Sequence, residues 1–140
     1  MTRKGAARVA DATFGDGRLK MARAYLKAAR SEVLLADPGD IANPAMSQII
    51  NAAIAFTDAL TAVYAGRVNQ QDHAAALRTL RDPLGNRLTT AQETNLRRIL
   101  AEKDEVQYGM RPRSKADAEA LLTRLEEFAS WAEVEMIRPK

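Results

Sequence analysis

Cysteine is absent from the 140 residues, and histidine occurs once. That pair of scarcities excludes a disulfide framework, a thiolate zinc site and any histidine–cysteine metal cluster within one chain. Aromatics make up only 5% of the residues, with a single tryptophan, which argues against sheet layers and for close-packed, alanine-rich helices. No apolar run approaches the roughly 20 residues expected of a bilayer span. Residues 1–14 carry Arg3, Lys4 and Arg8 but no apolar stretch of the kind that marks a secretory leader, so they read as a basic arm and the expected location is cytoplasmic. Gly15-Asp16-Gly17-Arg18 lacks the Lys-Ser/Thr ending of a phosphate-cradling loop and follows no strand, which sets aside nucleotide binding by that route.

What is present describes one globular domain over residues 1–140, ending in a short tail at 138–140. Hydrophobic residues are 46%, charged residues 28% and the net charge +3, enough apolar material for a core and a mild cationic excess. Leu19, Ala22, Leu26, Ala29 and Val33 recur at helical spacing and predict a first helix from about Asp16 to Ala36. Asp37-Pro38-Gly39-Asp40 then stops it. Asn43-Pro44 predicts the cap and first position of a second helix reaching Gly66 or Arg67. Asp58 is the only charge inside that helix, so it is the expected centre of the fold. A third helix is expected from Gln70-Gln71-Asp72 to Asp82-Pro83, and a fourth from about Ala91 to Lys103 behind a capping box at Thr90-Ala91-Gln92-Glu93. The last runs from Ser114 to about Met136, with Leu121, Leu125, Phe128, Ala132 and Met136 inward. The expected class is an all-α single-domain bundle of about five helices.

Chemistry concentrates at the junction of the second and third helices, where Arg67 and the sole histidine, His73, stand six positions apart. Neutral histidine can take a proton from a ribose 2′-hydroxyl, and arginine can stabilise charge growing on phosphate oxygens. Nearby arginines also disfavour the protonated imidazole and keep it available as a base. The plainer alternative is that Arg67 caps helix carbonyls and His73 is solvated. Asn51 and Asp58 share one face of the second helix, either as polar support for this corner or as interhelical hydrogen-bonding groups. Arg111 and Arg113, with Lys115 and the tail, could grip phosphates, although solvated loop charges are the simpler reading. Tyr108 reads as a packing residue with a wet hydroxyl, and Trp131 as either a second apolar face or a partly covered ring. Glu126-Glu127 and Glu133/Glu135 read as a solvated helix face, because metal binding would need ligands from elsewhere. No cofactor is expected, and no metal site.

Arg67, five intervening residues and His73 resemble the R-x(4–6)-H motif of the HEPN superfamily. The Ala-rich helix from Asn51 to Leu60 is similar to that family's central helix, Lys103-Asp104-Glu105-Val106-Gln107-Tyr108 to its lysine-then-tyrosine segment, and Ser114 to Met136 to its closing helix. The resemblance thus covers most of the chain. It implies a HEPN-like fold and a metal-independent endoribonuclease of toxin or defence type. Such a protein acts as a homodimer on RNA, with Arg67 and His73 catalytic and Asn69, Asp58 and Asn51 in support. Its products would carry a 2′,3′-cyclic phosphate, and a possible protein partner is a nucleotidyltransferase-like antitoxin. The rival from another class is a non-catalytic HEPN-like module that binds RNA or a partner. One departure stands out: family members often place a polar residue directly after the motif arginine, and here that residue is Val68, followed by Asn69.

Overall fold

In the computed structural model, which describes residues 8–69 and 72–138, helix α2 (Asn43–Ala65) is the axis of the molecule. Around it stand α1 (Ala12–Leu35), α3 (Ala75–Leu84), α4 (Thr90–Ala101), a short α5 (Lys103–Tyr108) and α6 (Lys115–Ile137), and α2 touches every one of them. The all-α bundle is therefore present, as one helical domain. Its core holds Met46, Ile49, Ile50, Phe56 and Leu60 of α2, with Leu96 and Ile99 of α4 and Leu125 and Phe128 of α6. Alanines at 52, 53, 55 and 59 on α2 are fully covered, which lets neighbouring helices approach the axis on several sides. By length and composition α2 is apolar enough to cross a bilayer, contrary to the expectation that no segment approaches that size; 72% of its most apolar window lies inside the fold.

The capping chemistry explains where the helices begin. Helix α1 starts at Ala12 rather than near Asp16, because the Asp11 carboxylate accepts the Phe14 N–H at 2.9 Å. Glycine inside the first turn hides that start in the sequence. At Gly15, however, an added Cβ would lie 2.9 Å from Val63 Cγ2 and 3.2 Å from the Ala59 carbonyl, so the missing side chain is what seats α1 against α2. Asn43 is not the cap of α2. Ala42 precedes the helix, and the Asn43 side chain donates to the Val106 and Arg111 carbonyls and accepts from the Arg113 N–H, tying the start of α2 to the loop before α6. The cap of α4 is Thr89, one residue earlier than expected, and Glu93 is released for side-chain pairing. Ser114 and Asp117 do form the capping box of α6. Helix α3 opens later than predicted, at Ala75, and runs through Pro83 to Leu84 before Gly85 turns it with φ 53°.

Neither α5, which occupies the start of a stretch, Asp104 to Arg113, that reads as a connection, nor a short ribbon has a counterpart among the expected helices. Arg8–Val9 (β1) pairs antiparallel with Arg67–Val68 (β2), Arg8 opposite Val68 and Val9 opposite Arg67. Of the expected basic arm, residues 8–14 belong to this ribbon and the start of α1, and residues 1–7 lie outside those described. The Ala10 N–H continues the ladder to the Gly66 carbonyl at 2.9 Å. This short ribbon closes the open end of the α1–α2 hairpin.

Candidate functional site: a cationic cleft at His73

The chain leaves α2 through Gly66, whose left-handed φ of 68° suits glycine and places its N–H on the Ala62 carbonyl. Arg67 therefore does not end a helix; it stands exposed on β2. Strand alternation turns the next side chain inward, and Val68 is 0% exposed. The apolar residue after Arg67 is thus a core residue. Asn69 is also buried and donates to Thr79 Oγ1 at 3.0 Å, which straps the junction onto α3. Gln70 and Gln71 lie outside the described residues. Asp72 then begins the turn that leads into α3: its carbonyl and its carboxylate both accept from the Ala75 N–H. The His73 carbonyl accepts from Ala76 in the same turn, so the backbone under the imidazole is fixed.

His73 lines an open cleft of about 650 Å³ between α3 and the end of α4. Leu77 and Leu100 supply apolar wall, and four cations, Arg78, Arg81, Arg97 and Lys103, line it with two carboxylates, Asp72 and Asp104. Glu93 holds two of them, bonding Arg81 at 2.6 Å and Arg97 at 2.7 Å, which fixes α3 to α4 across the cleft. The Lys103 ammonium lies 5.3 Å from the centre of the Tyr108 ring. Tyr108 is 78% exposed, so it is not the packing residue expected; its ring faces water beneath Lys103.

The imidazole pKa is pushed below its ordinary value, first by burial and then by the charge of Lys103; Asp72 opposes the shift and Arg18 adds to it. His73 is therefore predominantly neutral near pH 7, with a lone pair free to accept a proton. The Arg18 influence comes from α1. Its guanidinium reaches Asp58 at 3.2 Å, and Asp58 is 4% exposed on the central helix. Burial pushes the Asp58 carboxyl up to about 6, outweighing the pull of Arg18 in the other direction.

The remaining expected residues are spread more widely. Arg67 does not line the cleft, and it is not among the charges that act on His73. Asn51 is half-buried on α2 and makes no side-chain hydrogen bond among the described residues. Arg111 is exposed. Arg113 is not a solvated loop charge: it is largely covered and joins Glu102 at the end of α4 to Asp117 at the start of α6. The acidic face of α6 is solvated at Glu127, as expected, but not along its whole length. Arg30 grips Glu126 and Arg23 grips Glu133, each with two hydrogen bonds from α1, and Glu135 is buried. Trp131 is a partly covered ring whose indole N–H donates to the Arg87 carbonyl at 2.9 Å. The cleft arginines and Arg18 are functional candidates that the sequence reading misses. His73, Leu77 and Arg81 recur every fourth residue, and that one-sided stripe is the available signal for Arg81.

The fold and site thus define a helical bundle with a histidine set in a cationic cleft. Compared with known proteins, the chain matches no family model, no curated protein and no solved structure.

Proposed function

We propose that this protein is a HEPN-like, metal-independent endoribonuclease that cleaves RNA at the His73 cleft and acts as a homodimer. The observation behind it is the setting of His73: one neutral, half-buried imidazole at the edge of an open cleft that also presents four cations. In this reading His73 takes the proton of a ribose 2′-hydroxyl as that oxygen bonds to phosphorus. The bond from phosphorus to the departing 5′-oxygen breaks, and that oxygen needs a proton. The products are a 2′,3′-cyclic phosphate and a free 5′-hydroxyl. Lys103 and Arg78 lie where they can balance charge on the phosphate, and the exposed Tyr108 ring beside Lys103 offers a face for a base.

One chain brings one histidine, whereas the reaction benefits from a base and an acid. A pair of chains brings a second imidazole, whose protonated minority can give the departing oxygen its proton, and it gives the exposed Arg67 a phosphate to meet in the other copy's cleft. The activity belongs with toxin or defence roles in the cytoplasm, where an antitoxin protein would restrain it. The test is cleavage of a single-stranded RNA by purified protein in excess chelator. His73→Ala should lower the rate by about 100-fold or more with the fold intact. Unchanged cleavage by that variant sinks the catalytic role.

A second reading, a non-catalytic RNA-binding or partner-binding module, draws on the position of Arg67 outside the cleft. It expects RNA binding without cleavage, and binding that survives His73→Ala.

A further inference from the structure

The His73 cleft does not end at α4. A shallower hollow over the outer face of that helix, lined by Thr94, Arg97, Arg98 and Ala101, shares Arg97 and Ala101 with the cleft. On its far side, Arg98 and Ala101 also line a third hollow of about 390 Å³ that contains Arg113 and Arg124. The three depressions therefore adjoin at Arg97, Arg98 and Ala101, and cations line each of them.

We infer that this surface is a binding track for a single-stranded polynucleotide, carrying the strand from the His73 cleft across α4 to Arg124; the inference rests on the nuclease reading and extends it to the flanking nucleotides. Not every cation is equally available. Glu93 occupies Arg81 and Arg97, and Glu102 and Asp117 occupy Arg113. Arg78, Arg98 and Lys103 pair with no carboxylate among the described residues, and Arg124 bonds only the neutral Asn95 amide, so it keeps its full charge. These four lie within the chain of hollows, spaced from the cleft to its far end. Two other hollows differ in holding carboxylates without cations. The one at the α1–α2 turn holds Glu32 and Asp40, and the one on α6 holds Glu126 and Glu127, with no cation lining either. The linings of the three hollows together hold seven cations against four carboxylates, Asp72, Glu102, Asp104 and Asp117, an excess that would draw a phosphate backbone. Cations placed in this way hold a strand by its phosphates without reading its sequence.

The probe is 2′-O-methyl oligouridylate, which binds but cannot be cut through its blocked 2′-oxygen. Binding of a trimer and of a dodecamer is measured at several salt concentrations. The dodecamer should bind wild-type protein more tightly than the trimer. Arg98→Ala/Arg124→Ala should weaken the dodecamer about tenfold and flatten its log–log salt slope by about 1.4, at about 0.7 for each phosphate of a single strand that is no longer neutralised. The trimer should be unaffected. Arg98→Glu alone, at an exposed position without a partner among the described residues, should act in the same direction and guards against loss of folding in the double variant. Unchanged dodecamer affinity and slope in both variants would overturn the track while leaving the cleft reading intact. Wild-type protein that binds neither oligomer would overturn both, and a duplex binding better than the single strand would overturn the track.

Discussion

Two buried carboxylates sit at two corners of the bundle, and each is met by arginine from outside. Asp58 on α2 has one partner, Arg18. Glu135 on α6 has two, Arg87 at 3.0 Å and Arg138 at 3.2 Å. The Glu135 corner is also braced by its backbone: Tyr64 donates to the Glu135 carbonyl at 2.6 Å, Arg87 lies 5.3 Å over the Tyr64 ring, and the Arg87 carbonyl accepts from Trp131. It joins α2, α6 and the turn after α3 into one fixture. Among the described residues the Asp58 corner has no such bracing, and its arginine contributes to the electrostatics of His73. The contrast separates two uses of the same residue pair. Doubly satisfied and strapped, it holds helices together; singly satisfied beside a cleft, it tunes a neighbour.

The largest difference between the two corners is expected in the pH dependence of stability. The Asp58 carboxyl titrates near 6 in the folded protein, against an ordinary value of 3.8. The folded state therefore holds this proton more tightly than the unfolded state. The associated stabilisation is complete below about 4 and is lost as pH rises through about 6. Chemical denaturation across that window should show Asp58→Asn gaining on wild type by up to about 3 kcal/mol as pH rises. Parallel curves would place the titration elsewhere. At the other corner, Arg87→Ala removes one of two cations from Glu135 and uncovers Tyr64. Urea unfolding should report a loss of about 2 kcal/mol, since a buried acid is left less well paired. A negligible loss would mean that Arg138 alone suffices. The smallest effect concerns His73. As the only histidine, it can be followed by its proton resonance without assignment. Lys103→Met should raise its pKa, and Arg18→Ala should do so less, following the order of their influence. A pKa that stays put in both would cut the tie between the Asp58 corner and the cleft.

The helical architecture is legible because its signals are local. The stripe from Leu19 to Val33 is buried at every expected position, and so is the stripe from Leu121 to Met136. Ser114 and Asp117 announce their own cap. The cleft is less legible because it is assembled from separated segments. His73 stands out by its scarcity, but Lys103 and Arg97 come from the next helices and Arg18 from the first. Nothing in the local pattern around Gly15 reveals that its missing side chain faces Val63. Arg67 falls under the same limit. Six residues of sequence separation suggest proximity to His73, whereas a glycine turn and a two-residue strand carry the side chain outward.

The β1–β2 ribbon has a consequence out of proportion to its size. It forms only when the two ends of the α1–α2 hairpin arrive level, so it acts as a gauge of how far one helix has slid along the other. A slip of one residue in the pairing would turn Val68 to water and Arg67 into the core, a costly exchange. The same alignment that satisfies the gauge sets Gly15 against Ala59 and Arg18 against Asp58. Four paired residues thereby calibrate, from the start of α1, the charge that reaches His73.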